Sequence, residues 1–268
     1  MPELPEVETT VRTFRPLVKG RRFVGFTSSW PRQVIPSAPK VDRAISGRKI
    51  VKLERRAKQI IFHLDDDSGL LIHLKMSGRL DWLASSGDRA RHVRARFRLS
   101  GGDTLLFCDA RKFGRIRHVA DPQAALAHLG PEPLDPAFDS KILAEILHSR
   151  KRRIKPLLLD QTVIAGLGNI YSDESLHRAN IHPLSLSNRL CWDEIKRLHR
   201  SIRQVLREGI KRCGTSFDWA YLGGRMQHYL RVYQRGGKAC LACGRPIEVI
   251  RVGQRSTHFC PKCQKICK

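Results

Sequence analysis

The stretch Val93-Arg94-Ala95-Arg96-Phe97-Arg98-Leu99 alternates apolar and cationic residues. Successive side chains of a β-strand point to opposite faces, so this pattern places the apolar residues on one face and three arginines on the other. The sequence therefore predicts a strand over residues 93–99 with one face in a core. The arginine face has two interpretations, either a solvated surface or a surface that binds an anion.

Short runs of the same β type surround this strand. They lie at residues 50–53, 59–64, 70–74 and 104–108. Gly and Ser clusters separate the runs, which is typical of an antiparallel β-sandwich. We expect such a sandwich to extend from about residue 23 to residue 119.

A helix is predicted before the sandwich, within the first twenty residues. Val7, Val11 and Phe14 have helical spacing, Pro5 suits a first turn, and Gly20 marks the end. This helix should bury one apolar stripe.

Turn residues are dense at Gly130-Pro131-Glu132-Pro133, and the apolar periodicity becomes helical after Asp139. Helices are predicted at residues 140–149, 155–161, 169–179 and 193–212, with Gly214 as the C-cap of the last. The fold class is therefore α+β with several domains. We place an N-terminal domain at 1–131, a helical domain at 132–230 and a small C-terminal module at 231–268.

The net charge is +25 over 268 residues, from 50 Lys+Arg against 25 Asp+Glu, and indicates a polyanion as partner. A hydrophobic fraction of 41% excludes pervasive disorder. No apolar run approaches the length of a membrane span, and the N-terminus lacks the pattern of a signal peptide. We expect a soluble, cytoplasmic protein without a membrane partner.

Five of the eight cysteines lie in the last thirty residues. Cys240 and Cys243 form one Cys-x-x-Cys pair, and Cys260 and Cys263 form a second pair after sixteen intervening residues. This spacing is typical of a tetrahedral zinc site in a reducing compartment. Two redox-active pairs are the alternative, but they lack a βαβ context. We interpret Cys267 as a bystander.

A glycine-rich segment, Ala165-Gly166-Leu167-Gly168-Asn169-Ile170, joins two predicted helices. Its glycines allow close backbone approach, and the N–H groups at the next helix start suit a phosphate, although a plain turn between helices has the same pattern. The basic run that begins at Arg150 and ends at Lys155 favours a site for the DNA backbone.

Six motifs follow one another along the chain. They are Pro2-Glu3-Leu4-Pro5-Glu6-Val7-Glu8-Thr9, Arg55-Arg56-Ala57-Lys58, His73-Leu74-Lys75-Met76-Ser77-Gly78, Asp109-Ala110-Arg111-Lys112-Phe113-Gly114, Gly168-Asn169-Ile170-Tyr171, and Gln254-Arg255-Ser256-Thr257 with the four cysteines. Together they strongly resemble the bacterial formamidopyrimidine-DNA glycosylase family, whose members remove oxidised purines such as 8-oxoguanine and nick the resulting abasic site. The resemblance spans essentially the whole chain.

This resemblance implies that Met1 is removed and that the secondary amine of Pro2 attacks the sugar and forms a Schiff base. An α-amine, with a pKa of about 7.7–8.0, is far more often neutral at pH 7 than a lysine with a pKa of about 10.4. The terminal amine is therefore the better nucleophile. By the same resemblance Glu3 is a general acid/base. We expect Glu6 to support the first helical turn or the electrostatics of the site.

The resemblance assigns Lys58 to a phosphate contact and to proton donation in β-elimination. Arg255 corresponds to an arginine that binds phosphate and assists δ-elimination. The fold it implies has an N-terminal β-sandwich with flanking helices, a helix-two-turn-helix domain and a C-terminal zinc hairpin. The single zinc ion is structural, because four thiolates leave no position for a catalytic water.

Removal of a base from a duplex requires that the nucleotide be flipped out and the gap filled. Met76, Arg111 and Phe113 match the three residues that fill this gap in the family. Where many members have Lys-His-x-His, this chain reads Arg89-Ala90-Arg91-His92, so His92 is a candidate DNA contact and Arg89 or Arg91 replaces the first histidine. Residues 215–229 are expected to cover the flipped base.

The hypothesis is a monomeric base-excision-repair glycosylase and abasic-site lyase for damaged double-stranded DNA. An endonuclease VIII-type enzyme, which favours oxidised pyrimidines, is the nearest alternative. A non-catalytic zinc-containing DNA-binding protein shares the charge and the cysteines, but gives no reason for Pro2, Glu3 and Lys58 to occur together. An RNA-binding zinc protein suits the charge equally well.

Overall fold

The computed structural model describes residues 2–84, 90–216 and 223–266. Its contacts divide the chain into two compact units. The sheet unit contains the described residues up to Ala127, together with those between Thr215 and Gly224. The helical unit contains the described residues of 128–214 and 225–268. The division into three domains with limits at 131 and 230 stays a prediction.

The sheet unit is a β-sandwich of two sheets with helices at its margins. Its elements are α1 (Leu4–Val18), β1 (Phe23–Ser28), β2 (Val34–Ile35), α2 (Ala38–Ile45), β3 (Ile50–Arg56), β4 (Gln59–Leu64), β5 (Gly69–His73), β6 (Gly78–Leu83), β7 (Val93–Leu99), β8 (Thr104–Asp109), β9 (Arg115–Val119) and α3 (Pro122–Leu126). One sheet has the order β1-β7-β8-β6 and the other β2-β9-β5-β4-β3. All strand pairs are antiparallel except β2 with β9. The predicted sandwich is confirmed.

The strand predicted at residues 93–99 is β7, and its alternation is visible in its burial. Ala95, Phe97 and Leu99 are buried, whereas Arg96 and Arg98 are exposed. Phe97 lies among other aromatic rings, with centroids 5.9 Å from Phe23 and 4.8 Å from Phe26. The apolar face of β7 is therefore part of the sandwich core.

Helix α1 begins with reciprocal hydrogen bonds between Glu3 and Glu6, which form a capping box, and Pro5 occupies the first turn. Its predicted stripe of Val7, Val11 and Phe14 is buried in the core of the sandwich. Helix α2 was not predicted. It interrupts the β pattern with an apolar face of Val41 and Ile45, which are both buried.

The helical unit contains α4 (Ser140–His148), α5 (Ile154–Leu159), α6 (Asn169–Ala179) and α7 (Trp192–Lys211), followed by the hairpin β10 (Glu248–Val252) and β11 (Arg255–Phe259). The four predicted helices are thus confirmed to within two residues at each end. Helix α6 is buried along most of its length and packs against α7 and β11. The C-cap of α7 is Arg212, so Gly214 follows the C-cap rather than forming it, and its N–H donates to the Gly209 carbonyl at 2.7 Å. Within the described ranges no helix is long and apolar enough to cross a membrane.

Replacement of Phe97 by Ala should destabilise the sheet unit by about 3–5 kcal/mol, because the cavity lies inside the aromatic cluster. Urea denaturation measures the free energy of unfolding. The matched control is Val24→Ala on the neighbouring strand β1, where the side chain is 54% exposed and the change should stay within about 0.5 kcal/mol. Equal losses in the two variants would contradict the core position of Phe97.

Candidate active site

Residues 2–6 are buried and held by hydrogen bonds. Pro2 is buried, and Glu3 and Glu6 are each only 1% exposed. The backbone N–H of Glu3 donates to Glu6 Oε2 at 2.8 Å. Glu6 Oε1 accepts two further hydrogen bonds from Thr215, at 2.8 Å from its backbone nitrogen and 3.1 Å from its hydroxyl. Glu6 thus holds the helix start, and Glu3 follows the Pro2 nitrogen directly in a rigid segment.

Lys58 lies in the two-residue turn between β3 and β4 and is 6% exposed. Its neighbour Ala57 has a φ of 54°, a left-handed conformation that is unfavourable for alanine. Arg55 stabilises this turn by donating to the Ala57 carbonyl at 3.1 Å and to Glu8 on α1 at 2.9 Å. Burial alone would raise the pKa of Glu8, but hydrogen bonds from Arg12 and Arg55 outweigh it and lower that pKa. The Glu8–Arg55 pair therefore joins α1 to the turn that carries Lys58.

His73 is a site residue to which sequence reasoning gave no role. His73 on β5 is paired with Gln59 on β4, and Gln59 is the residue that follows Lys58. Burial, with the nearby charges of Lys75 and Lys58, lowers the pKa of His73 to about 3. Its Nδ1 accepts the Lys75 N–H at 2.9 Å, so the neutral ring carries its proton on Nε2. The register of β4 and β5 is what places His73 near Lys58, and sequence periodicity does not predict that register.

Two loops connect the sheets of the sandwich and meet at one end of it. Residues 74–77 lead from β5 to β6, and residues 110–114 return from β8 to β9. We call them the crossover loops. They are adjacent because His73 pairs with Arg115 at one side and Gly78 with Asp109 at the other.

The crossover loops bring together Met76, Arg111 and Phe113, the predicted gap-filling residues. Met76 is half-buried, whereas Arg111 is exposed and Phe113 is 47% exposed. The Arg111 guanidinium carbon lies 5.1 Å from the centroid of the Phe113 ring, within the range of a cation–π contact. His92, also exposed, precedes β7 with a φ of 60°.

In the helical unit, the tight turn Gly253-Gln254 joins β10 to β11, and both residues have positive φ. This is the backbone of a type I′ hairpin, and it presents Arg255 to solvent as the first residue of β11. Asn169 begins α6, and its side-chain amide donates to the Ser256 carbonyl at 3.0 Å. Asn169 is therefore in contact with the residue next to Arg255.

The structure contradicts the predicted DNA contact of Lys155. This side chain is fully buried, with its Nζ 2.5 Å from Asp173 Oδ1 and 3.1 Å from the Ser256 carbonyl. Asp173 Oδ2 in turn accepts the backbone N–H of His258 at 3.0 Å. A lysine in this environment neutralises a buried carboxylate and cannot reach a phosphate on the surface. Lys155 instead holds the hairpin of β10 and β11 against α5 and α6.

Arg150 is half-buried, and its guanidinium donates to the Ile146 carbonyl at 3.0 Å and the Ser149 hydroxyl at 2.8 Å. Its predicted DNA contact stays a prediction. Several expectations lie outside the described residues, namely those for Met1, Arg89, Cys267 and residues 217–222 of the segment expected to cover the flipped base.

The cysteines Cys240, Cys243, Cys260 and Cys263 converge, with all four sulfur atoms within 4.8 Å of one another. The Cys243–Cys260 distance is 3.4 Å and the Cys240–Cys263 distance is 4.0 Å. A tetrahedral zinc site with Zn–S bonds of about 2.3 Å requires sulfur separations of about 3.8 Å. The four thiols therefore fit zinc, and all four coordination positions are taken by the protein.

Three family models match successive parts of the chain. The formamidopyrimidine-DNA glycosylase N-terminal domain matches residues 1–116, its H2TH domain residues 129–219, and the zinc finger found in FPG and IleRS residues 237–266. This chain belongs to the formamidopyrimidine-DNA glycosylase family. The zinc-finger match and the four converging thiols confirm the predicted structural zinc.

Full-length relatives in the glycosylase family agree. The formamidopyrimidine-DNA glycosylase of Pelotomaculum thermopropionicum is 44% identical, covering 99% of this chain and 100% of the relative. That of Chloroflexus aurantiacus is 45% identical, covering 98% of each. Among solved structures, a mutant of the Lactococcus lactis FPG with DNA containing Fapy-dG superposes with a TM-score of 0.92 at 37% identity, over 98% of this chain and 100% of that one. MutM in complex with carbocyclic 8-oxo-G containing DNA matches equally well, with the same TM-score, identity and coverage of both chains.

Loss of one zinc ligand should release the metal, because thiolate binding and folding of the hairpin are coupled. We expect Cys260→Ser to lose the zinc ion that the wild-type chain carries, as measured by native mass spectrometry. Cys191→Ser is the matched control, since Cys191 is an exposed free thiol at the N-cap of α7, where serine is favoured. Full zinc content in Cys260→Ser would contradict the assigned ligands.

Removal of one charge from the buried Lys155–Asp173 pair should have a large effect on stability. Asp173→Ala leaves the Lys155 charge without its partner and should destabilise the helical unit by about 3–5 kcal/mol. The double variant Lys155→Met with Asp173→Leu should recover much of this loss, as followed by urea denaturation. Asp193→Ala breaks an exposed pair with Lys196 and should cost no more than about 1 kcal/mol. A similar cost for Asp173→Ala would refute the buried pair.

Proposed function

We propose that this chain excises oxidised purines from duplex DNA and then cleaves the strand at the abasic site, as an enzyme of base-excision repair. The observation that carries the proposal is the rigid start of α1, where the Glu3 carboxyl follows the buried Pro2. The relatives support the substrate class, because solved structures similar to this chain include complexes with DNA that contains Fapy-dG or carbocyclic 8-oxo-G.

The nucleophile of the proposed reaction is the secondary amine of Pro2 after removal of Met1. This nitrogen attacks C1′ of the damaged nucleotide, the bond between C1′ and the base breaks with its electron pair leaving on the base, and the nitrogen loses its proton. The sugar ring then opens as the C1′–O4′ bond breaks and O4′ takes a proton, which leaves an iminium between C1′ and the Pro2 nitrogen. The resulting iminium withdraws electrons from C2′, so a proton can leave C2′ while the 3′-phosphate departs in β-elimination. A second elimination releases the 5′-phosphate.

Glu3 is proposed to donate a proton as the sugar ring opens and to move protons in the later steps. Its place next to the nucleophile supports this role, because the capping box fixes the backbone of Glu3, which is bonded directly to Pro2. A general acid is effective only when it is held within hydrogen-bond reach of the proton that it transfers. Glu6, with its oxygens bonded to Glu3 and Thr215, serves as a structural support.

Lys58 is proposed to contact the phosphate beside the lesion and to supply a proton in β-elimination. His73 adds a neutral donor near it, since a pKa of about 3 keeps the ring uncharged and the proton on Nε2 over the physiological range. A cation and a neutral donor together bind phosphate without placing two positive charges side by side.

The gap-filling residues are proposed to enter the duplex where the nucleotide leaves it. Met76 and Phe113 provide apolar wedges, and Arg111 pairs with the orphaned base. In the helical unit, Asn169 and Arg255 are proposed as phosphate contacts at the start of α6 and on the zinc hairpin. His92 and Arg150 are proposed as further backbone contacts.

Zinc supplies structural stability, since its four thiolates leave no position for substrate. The bound metal would hold the hairpin that presents Arg255. We place the enzyme in the bacterial cytoplasm with the chromosome, supported by the bacterial relatives, by the reducing conditions that thiolate ligands need and by a net charge of +25.

Borohydride trapping tests the proposal directly. The zinc-loaded protein should form a covalent adduct with a duplex that contains 8-oxoguanine opposite cytosine, and peptide mass analysis should locate that adduct on Pro2 of Met1-free chains. Glu3→Gln should retain zinc and DNA binding but lose roughly 10²–10⁴-fold in excision rate. Glu145→Gln, an exposed position on α4, is the matched control and should excise at the wild-type rate.

An adduct on a lysine, or none on either 8-oxoguanine or abasic duplexes, would overturn the amine mechanism. A duplex with thymine glycol provides the comparison of substrate class. Excision of this lesion alone would assign the chain to oxidised pyrimidines instead.

A further inference from the structure

Asp109 is a buried carboxylate that the proposed reaction does not use. It is the last residue of β8 and is 1% exposed. Every hydrogen-bond donor that reaches its side chain comes from one of the two crossover loops in the described structure. Its position between these loops connects it with the residues that would enter the duplex.

The bonds of Asp109 join both loops to one side chain. Oδ1 accepts the Ser77 hydroxyl and, at 3.2 Å, the backbone N–H of Arg111. Oδ2 accepts the backbone N–H of Gly114 at 2.7 Å. The Ser77 hydroxyl oxygen also accepts the Arg111 N–H at 3.0 Å. Ser77 directly follows Met76, whereas Arg111 and Gly114 are the two ends of the segment that carries Phe113.

We propose that Asp109 and Ser77 are positioning residues that hold Met76, Arg111 and Phe113 as one preformed unit for insertion into DNA. This inference rests on the proposed function. It adds that these three residues, which we call the wedge, are held in place by a shared carboxylate before DNA binds. Preorganisation lowers the conformational entropy that is lost when the wedge enters the duplex.

The chemistry explains why an acid occupies this position. Three donors point at the side chain, and an ionised carboxylate is a pure acceptor with two oxygens. An asparagine of the same shape would turn an N–H₂ group towards at least one of these donors. Gly114 adds a second restriction, because a Cβ at this residue would lie 2.4 Å from the Phe107 ring. Only glycine therefore allows the backbone at residue 114 to lie this close to Phe107 while its amide donates to Asp109.

A further contact orients the segment between the two bonded amides. Lys112 has a φ of 61°, and its ammonium lies 4.2 Å from the centroid of the Trp30 ring. Lys112 thus turns back to the protein, while Arg111 and Phe113 contact each other and remain exposed. An aromatic ring that is 47% exposed has little packing of its own to fix it, so the backbone must do so.

The experiment compares two abasic substrates, one in a duplex and one in a single strand. Only the duplex has a gap to fill, so the ratio of their cleavage rates reports on the wedge. Asp109→Asn and Ser77→Ala should each lower kcat on the duplex by about 10-fold or more, which corresponds to loss of a buried hydrogen bond. Cleavage of the single strand should change by less than about twofold, and the double variant should lose less than the product of the two single losses because both act through one network.

Asp121→Asn is the matched control. Asp121 also accepts two backbone N–H groups in the sheet unit, at the N-cap of α3, where asparagine is equally favoured. It should leave both rates unchanged. Hydrogen exchange at the Gly114 amide reports on the Asp109–Gly114 hydrogen bond without DNA. The exchange should become faster in Asp109→Asn but not in Asp121→Asn.

Equal loss on the duplex and the single strand would show that Asp109 supports the fold alone, and unchanged rates with unchanged exchange would show that the loops do not need it. Either result overturns the positioning role. Failure of the wild-type protein to cleave either substrate would be a different result. It would refute the proposed function and remove the basis of this inference. Amide exchange would still report whether Asp109 holds the Gly114 amide.

Discussion

The capped start of α1 is the interaction on which the rest of the site depends. Chain termini usually fray, because few contacts hold them. Here the second to fourth residues are buried, and the carboxylate of Glu6 binds both the Glu3 amide and Thr215. A terminal amine can act as a positioned nucleophile only under such a restraint. The pair of Glu8 and Arg55 extends the same helix to the turn of Lys58, so one helix sets the position of the proposed nucleophile, acid and phosphate contact.

The sequence predicted the elements whose residues follow a regular spacing along the chain. The alternation of residues 93–99 identified β7, and the two Cys-x-x-Cys pairs identified the zinc site, because strand pleat and tetrahedral coordination leave direct traces in spacing. Helix α2 was missed, since it has only eight residues and its one pair of buried apolar side chains, Val41 and Ile45, is too short a pattern to stand out among the surrounding strands. Residues that match the family motifs required resemblance as well as pattern.

Tertiary pairing explains the two main differences from expectation. Lys155 follows a basic run and reads as a surface cation, but its partner Asp173 lies on the next helix and draws it into the interior. His73 has a lowered pKa because of burial and the nearby charges of Lys75 and of Lys58, which precedes its strand partner Gln59. Neither partner is marked in the sequence as a partner. In both cases the environment of the residue depends on which elements lie side by side in the folded chain, and sequence periodicity does not show this.

The buried first turn of α1 also bears on how the protein matures. A residue that precedes Pro2 converts its basic secondary amine into an amide nitrogen, which is not a nucleophile. On the proposed mechanism, a newly synthesised chain can fold and bind zinc before it can react, and removal of one methionine is the event that activates it. The same chemistry favours carboxyl-terminal fusions for any tagged or tethered form of the enzyme, because an amino-terminal extension would occupy the reactive nitrogen itself.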